Sequence, residues 1–514
     1  PSRHRQPDCR PACRRVPGAN ESVDVCVGPS GAELTLIMNA FIICNTICYH
    51  LYMRVNERYS SMKFVSRPIH ALQLLAVYSA PILGAALPAA TYSAETDMED
   101  LRKEVERQEQ RIKTLEQQSA KAVASDPASG AYKLPELFGY GIVNYLNFDW
   151  ETDPNRRDAV DVERFIVGLE HHFNPQWSAE VEIEFEHGGT GATLELDKLE
   201  EFGEFEQEIE SGGEVVVEEL NVTYTHSKAF NLRFGEMILP IGLLNGAHRP
   251  QDYLTVQRPA AETALIPVTW HESGVGMLGQ WRGLSYQVMV VNGLDSTGFS
   301  ARNWVAPGFQ GRFELVNAES LALATRLDYE LVRGTVLGGS FYTGNTSDNR
   351  PKADLDDVDG RVSIFTLHAT HERGPLTVRA QYLNGSLDDS AEITQANQSL
   401  SNNLEVKRTP VGSDAESLSI EAAYNILPWV VVSPGSRLEP FVRLASYDSQ
   451  ADTEGSINDN PAWDRDEWTL GVNYRPLPDL VFKSNFTRRE RAGDLGGFGR
   501  DTEDTLAVGF GFTF

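Results

Sequence analysis

The last ten residues of the chain alternate without a break between an apolar face and a small or polar face. The apolar face holds Leu506, Val508, Phe510, Phe512 and Phe514, and the other holds Thr505, Ala507, Gly509, Gly511 and Thr513. A repeat of two predicts a β-strand, and a face this aromatic would promote aggregation in water unless an apolar medium covered it. Lipid is such a medium, so we expect a membrane-embedded strand that ends at Phe514.

Composition argues against other classes of protein. Mean hydropathy is −0.32, and after residue 95 no segment approaches the roughly 20 apolar residues that a membrane helix needs. A transmembrane barrel is compatible with this value because only alternate residues of its strands are apolar. The formal net charge of −28 argues against nucleic acid as a partner, since phosphate binding requires basic surfaces, and favours cations.

The N-terminal part of the chain differs from the remainder in its cysteines. All five precede Met62, and Cys9 and Cys13 have no second ligand pair at zinc-like spacing, so we predict no metal site. From Met62 onward the sequence has the basic start, apolar centre and small residues of a signal peptide. We predict that residues 1–61 are an upstream extension foreign to the native protein and that residues 62–94 are a signal peptide.

Residues 95–124 have the spacing of a short coiled-coil helix. Its a and d positions are Met98, Leu101, Val105, Gln108, Ile112 and Leu115. Such a segment is marginal alone, and one interpretation is a solvated helix on a tether. The other, which we favour, is oligomerisation beside an oligomeric barrel that raises its effective concentration. Residues 125–137 are then a linker to a barrel of residues 138–514.

One run shows what the two faces of the predicted barrel meet. Its apolar face holds Trp177, Ala179, Val181, Ile183 and Phe185, and the opposite face holds Ser178, Glu180, Glu182, Glu184 and Glu186. The interior of a soluble sandwich would not accept four carboxylates, whereas lipid on one side and a water-filled lumen on the other satisfy both faces. We expect these four glutamates to form an acidic part of a pore wall.

Turn signals and alternating runs predict sixteen strands in which short turns alternate with long loops, the pattern of bacterial barrels. The connection from Ile426 to Arg437 is longer and more apolar than the other turns. The expected fold is therefore all-β, a 16-stranded antiparallel transmembrane β-barrel with a short N-terminal coiled-coil helix. The predicted strands are 138–150, 161–172, 177–187, 215–226, 230–237, 273–281, 284–293, 319–330, 335–344, 361–372, 376–385, 416–425, 438–447, 467–475, 480–490 and 504–514.

Several segments resemble the phosphate-selective porin O and P family. Phe234–Gly242 is similar to its phenylalanine–glycine strand end before a long loop, and Ile266–Gly276 is similar to the proline–threonine–tryptophan segment that re-enters a strand. Arg326–Tyr329 with Leu337–Gly344 is similar too, and Phe514 resembles the assembly signal of bacterial outer-membrane barrels. The resemblance implies a homotrimeric, sixteen-stranded outer-membrane channel whose third loop folds into the lumen.

On our strand assignment the third long loop is Ile238 to Glu272. Its candidate constriction residues are His248, Arg249, Asp252, Arg258, Glu262 and His271. Basic residues expected on the pore wall are Arg233, Arg379, Arg443 and Arg475. A narrow passage of low dielectric strengthens the effect of each charge. The alternative is that the loop residues pin the loop to the wall and that the arginines form structural ion pairs with lumenal glutamates.

The loops are more acidic than an anion channel requires. Residues 188 to 213 contain eight acidic residues and one lysine, and carboxylates at a pore mouth concentrate cations and repel anions. We therefore expect a weak preference for cations or near neutrality, although the resemblance implies anions. The acidic loops could also hold calcium or bridge lipopolysaccharide, but they lack the spacing of an EF-hand, and no cofactor is predicted.

The predicted function is passive diffusion of small hydrophilic solutes or ions, with outer-membrane lipid and lipopolysaccharide as surroundings. A barrel-type hydrolase is one alternative, but no spacing selects a catalytic triad, and we predict no catalytic residue. The histidines and the serine available for one are His171, His172, His187, His271 and Ser273. A structural or adhesive barrel with a closed lumen is the other alternative. Glycines in lumenal rows, such as Gly509 and Gly511, favour an open one.

Overall fold

A closed antiparallel β-barrel makes up most of the described chain. The computed structural model describes residues 14–15, 24–25, 134–189, 193–197, 206–210, 213–310, 316–355, 357–400, 408–430, 435–493 and 502–514. The chain divides into two units, Pro1–Val65 and Ser66–Phe514. In the first, strand β1 (Arg14–Arg15) pairs with β2 (Asp24–Val25). The predicted signal peptide and coiled-coil helix, and the linker up to residue 133, lie outside the described residues.

The second unit contains the remaining strands. They are β3 (Glu136–Trp150), β4 (Ala159–Asn174), β5 (Trp177–Glu186), β6 (Thr193–Asp197), β7 (Glu206–Glu210), β8 (Glu214–Ser227), β9 (Phe230–Ile238), β10 (His271–Trp281), β11 (Leu284–Asn292), β12 (Leu321–Val332), β13 (Thr335–Asn345), β14 (Arg361–Arg373), β15 (Leu376–Leu387), β16 (Asp414–Tyr424), β17 (Arg437–Asp452), β18 (Asp464–Leu477), β19 (Leu480–Arg491) and β20 (Thr502–Thr513). All except β6 and β7 belong to the barrel. These two form a separate hairpin in a segment where we predicted only a loop.

Each barrel strand pairs antiparallel with its neighbours in the chain, and β20 pairs with β3 to close the ring. The register of this seam runs from Glu503 opposite Trp150 to Thr513 opposite Tyr140. The backbone of Phe514 then exchanges two hydrogen bonds with Gly139, of 3.0 and 3.1 Å. Closure leaves no free edge at the terminal strand. The sixteen-stranded barrel expected from alternation is thus confirmed, with every predicted strand present.

The two faces of each strand differ as a membrane barrel requires. In β14, Phe365 and Leu367 point outward and are 43% and 51% exposed, whereas Ile364 and Thr366 point inward and are fully buried. Large apolar side chains are exposed on the outer face of many other strands, including Leu220, Phe234 and Phe512. Lipid is the medium that makes such exposure favourable.

The α-helices of the described residues are short. They are α1 (Ala260–Thr263), α2 (Ser390–Ser399) and α3 (Leu427–Val430). Helix α3 lies in the long connection between β16 and β17. Within the described residues, no helix has both the length and the apolar character needed to cross a membrane.

One side of the lumen is apolar, which the sequence pattern did not predict. Residues 293–310 fold inward and place Phe299 and Trp304 in a buried cluster with Ile364 and Leu383 of the wall, and Ile393 of α2 joins it. Here the inward residues of β14 and β15 meet protein instead of water. This part of the lumen is therefore filled by protein.

Candidate pore constriction and its carboxylate wall

The loop from Leu239 to Trp270, called here the strap, lies inside the barrel and reaches opposite walls. At one end, Arg326 of β12 donates a hydrogen bond of 2.6 Å from Nη1 to the carbonyl oxygen of Gly242. At the other, Lys483 of β19 donates from Nζ to the carbonyl oxygens of Tyr253 and Thr255, at 2.7 and 3.0 Å. Strands β12 and β19 are seven positions apart in a ring of sixteen, so the strap crosses the lumen.

Wall side chains hold the far part of the strap through its backbone. Asn473 donates to the carbonyl oxygen of Leu254 at 3.0 Å, and Asn485 accepts from the backbone N–H of Val256 at 2.7 Å. The ammonium group of Lys483 also lies 3.8 Å from the ring centroid of Tyr253. Buried backbone groups need such partners. Lys483 was not among the predicted site residues, although its alternation with Phe482 and Phe486 would have marked it as lumenal.

Glu262 of α1 organises the near part of the strap. Its carboxylate accepts hydrogen bonds from the backbone N–H groups of Leu243 and Leu244, each at 2.9 Å. Gly242 has φ +80°, and a Cβ at this position would lie 2.7 Å from the carboxyl carbon of Glu262. Burial raises the pKa of Glu262, and these hydrogen bonds partly offset that effect. Glu262 therefore holds the strap in place. This is the second of the two roles considered for the loop residues, and it differs from a role in lining the permeation path.

Two further predicted constriction residues are buried in protein contacts. The imidazole Nδ1 of His248 lies 2.8 Å from the hydroxyl oxygen of Tyr140. Burial, followed by the nearby charge of Arg258, lowers the pKa of His248. His271 lies at the start of β10, where its Nδ1 is 2.9 Å from Oε1 of Glu236. Neither side chain faces open lumen, because the neighbouring strands enclose both.

The other three predicted constriction residues reach solvent. The side chain of Arg249 is 62% exposed and pairs with Asp252 at 3.0 Å. Asp252 and Arg258 are partly exposed. Arg249 adjoins His248 in sequence, yet its side chain is largely exposed whereas that of His248 is buried. Of the six predicted constriction residues, Arg249 is thus the most exposed, whereas Nη2 of Arg258 is buried.

The four glutamates of β5 are on the inner face, and strand β8 adds two more carboxylates. Pairing runs from Glu182 opposite Glu219 to Ile183 opposite Val217, so Glu218 is an extra residue in a β-bulge. Glu218 and Glu219 are both buried. The guanidinium group of Arg164 in β4 pairs with Glu184 at 3.0 Å, Glu186 at 2.6 Å and Glu218 at 3.4 Å.

Arg164, Glu218 and Glu219 were missed from the sequence. Arg164 could have been found, because it alternates with the outward Phe165. The pair in β8 could not, since a strict period of two assigns adjacent residues to opposite faces.

The predicted basic residues of the wall are engaged in ion pairs. Arg379 pairs with Glu372 and Glu421, at 2.6 and 3.0 Å, and Arg443 pairs with Glu421 at 2.9 Å. Arg475 pairs with Glu439 at 3.0 Å, and Arg233 lies 3.9 Å from Glu219. Arg379, Arg443 and Arg475 thus pair with glutamates other than those of β5, which reduces the positive charge that they offer to a solute.

Comparisons with known proteins agree with this architecture. The family model described as phosphate-selective porin O and P matches residues 142–514. A protein of Aquifex aeolicus (strain VF5), described as uncharacterized, is 26% identical over 373 residues, which cover 71% of this chain and 78% of that protein.

Some solved structures are also similar. OmpF of Salmonella typhi in complex with daunomycin is 12% identical with a TM-score of 0.46, and the match covers 74% of this chain and 97% of the OmpF chain. The outer membrane channel DcaP of Acinetobacter baumannii is 12% identical with a TM-score of 0.44, with the same two coverages. Likeness at this level carries no conclusion about solute or selectivity. Because the family model spans well over half of the chain, the protein belongs to the phosphate-selective porin O and P family and is a passive β-barrel channel of the bacterial outer membrane.

Proposed function

We propose that small hydrophilic solutes and ions pass the strap on the side of the lumen formed by β4, β5, β8 and β9. The observation that carries this proposal is the distribution of solvent exposure. Side chains of Glu186, Arg233 and Arg249 are partly or largely exposed there, whereas the apolar cluster around Trp304 fills the lumen beside β11 to β16 and includes the two ends of the strap. In this path Arg249, Asp252 and Arg258 form the constriction.

The charge balance of this path favours a weak preference for cations or near neutrality. Strands β5 and β8 place six carboxylates on the inner face, of which Glu180 and Glu186 are partly exposed to the path and the other four are buried behind it. Carboxylates in a low-dielectric passage attract cations and raise the barrier for a phosphate anion. The phosphate in the family description is therefore not our proposed solute. The test is single-channel conductance with reversal potentials in a KCl gradient, and strong anion selectivity would contradict the proposal.

Replacing Arg249 with glutamine is expected to raise cation preference, because Asp252 then loses its partner and becomes a net negative charge beside the path. The permeability ratio of K⁺ to Cl⁻ should rise about twofold, because the Coulomb energy of one screened charge changes the barriers for the two ions by about that factor. Arg333→Gln is the matched control, since Arg333 is an exposed arginine in the turn between β12 and β13. An unchanged reversal potential in Arg249→Gln would remove this residue from the path.

We further propose that the channel is a homotrimer and that its acidic outer loops contact lipopolysaccharide through divalent cations. Family membership supports the trimer, and the acidic residues between 188 and 213 support the contact. Mass measurement of the purified protein in detergent tests the assembly, and a monomer would contradict it. Retention of lipopolysaccharide with and without a chelator tests the contact.

A hydrolase is the less favoured candidate. Ser273 donates to Glu236 at 2.6 Å, and His271 contacts the same carboxylate at 2.9 Å. A catalytic triad instead places histidine between the serine and the acid. The arrangement around Glu236 therefore favours a structural role for Ser273.

A further inference from the structure

Three buried side chains converge where the strap meets the carboxylate wall. They are Glu182 of β5, Glu218 of β8 and His248 of the strap, and one donor atom from each lies within 4.8 Å of the others. Their exposed fractions are 7%, 0% and 9%. An imidazole with two carboxylates is a donor set that suits a divalent transition metal such as Zn²⁺.

Two of these groups, Glu182 and Glu218, each have one buried carboxylate oxygen without a hydrogen-bond partner among the described residues. Oε2 of Glu182 and Oε2 of Glu218 are buried and accept no hydrogen bond from any described residue. At Glu218, Arg164 donates only to the other oxygen, Oε1, at 3.4 Å. Arg249, which adjoins His248 in the strap, donates to Asp252 and to neither glutamate among the described hydrogen bonds. A carboxylate oxygen that is out of contact with water and has no hydrogen-bond partner is costly, so a proton or a cation at these two oxygens would stabilise the cluster.

The local geometry brings the donors together in an unusual way for a sheet. The β-bulge at Glu218 turns a second carboxylate of β8 toward the inner face, beside Glu219. Tyr140 holds His248 through Nδ1 at 2.8 Å and leaves Nε2 as the second ring nitrogen. Histidine ligands in metal sites are commonly oriented by such a partner. Metal–ligand bonds of about 2.1 Å require the donor atoms to lie closer to one another than the 4.8 Å limit that they satisfy here. Small rotations of the glutamate side chains can bring them closer.

We propose that Glu182, Glu218 and His248 form a binding site for one divalent transition-metal ion that fastens the strap to β5 and β8. A divalent ion balances the charge of the two carboxylates, and Arg164, which also contacts Glu218, is itself paired with Glu184 and Glu186. The role is structural and does not depend on which solute passes the channel. No such site was expected from the sequence, because the three residues come from three separate segments.

The experiment uses the full chain, folded in detergent, stripped with a chelator and titrated with Zn²⁺. Metal content is measured by mass spectrometry after gel filtration, and affinity by calorimetry. We expect the wild type to bind one more tightly held Zn²⁺ per chain than either Glu182→Gln or His248→Gln. In these two variants the affinity of that site should be lost or weakened at least about tenfold. The cysteines before Met62 are unchanged in every variant and therefore cancel in the comparison.

Glu180→Gln separates the proposed site from a second group, Glu180, Glu182 and Glu219, whose donor atoms also lie within 4.8 Å of one another. It should bind Zn²⁺ as the wild type does. Zn²⁺ should also raise the unfolding temperature of the wild type and of Glu180→Gln but not that of Glu182→Gln, which is isosteric and retains the fold. Equal binding by the wild type and both triad variants would overturn the proposal, as would loss in Glu180→Gln with retention in His248→Gln.

Discussion

Replacing Lys483 with methionine is expected to increase single-channel conductance and current noise, because the strap loses its attachment to β19. The ammonium group donates to two strap carbonyls, of Tyr253 and Thr255, and lies over the Tyr253 ring. Methionine fills similar volume but leaves both carbonyls without that donor. Charge-assisted hydrogen bonds of this kind contribute about 1.5–3 kcal/mol each. The segment should therefore move away from the wall and widen the passage intermittently.

The measurement is planar-bilayer recording of the variant at the same salt and voltage as the wild type. Lys228→Met is the matched control, since Lys228 is an exposed lysine in the short turn between β8 and β9. It removes the same charge without touching the strap, and its conductance should equal that of the wild type. If Lys483→Met showed wild-type conductance and noise, the strap would not depend on this attachment.

Replacing Trp304 with alanine is expected to destabilise the barrel by about 3–5 kcal/mol, the range for large-to-small changes at buried aromatic positions. The indole is fully buried in the lumenal apolar cluster, and its Nε1 donates to the carbonyl oxygen of Gly412 at 3.0 Å. It also packs against Gly385 of β15, where an added Cβ would collide with the ring. Alanine would leave a cavity and a carbonyl without its donor.

Guanidinium-induced unfolding in detergent, followed by circular dichroism, gives the free energy of unfolding for each variant. Trp429→Ala is the matched control, because Trp429 of α3 is 70% exposed. Its free energy of unfolding should change by less than about 1 kcal/mol. A loss as small as this in Trp304→Ala would show that the cluster inside the lumen contributes little to the stability of the barrel.

Strand positions were predictable because alternation is a local property. Lipid requires apolar residues on every second position, and this requirement marks strands such as β5 and β20 directly in the sequence. Turns of two residues, such as 282–283, then separate them and set the register. The seam between β20 and β3 followed from the same reasoning, since an open edge beside Phe514 would be unfavourable.

The constriction was less predictable because a loop has no such period. His248 and Arg249 are adjacent and were treated alike, yet one is buried against Tyr140 and the other is largely exposed. Glu262 was identified as a pore residue from its charge, but its carboxylate binds backbone N–H groups of its own loop. Which charged residues meet water depends on where the loop is held.

The sequence alone determined the barrel, its membrane environment and which faces of its strands meet lipid, since these follow from contacts between near neighbours along each strand. Only the tertiary structure decided where the strap crosses the lumen and which charges it leaves open. The attachment of Tyr253 to Lys483 joins residues 230 positions apart, and the convergence of Glu218 with Glu182 depends on a bulge in one strand pair. Contacts of this kind have no local pattern, because they form only when the closed barrel brings distant segments together.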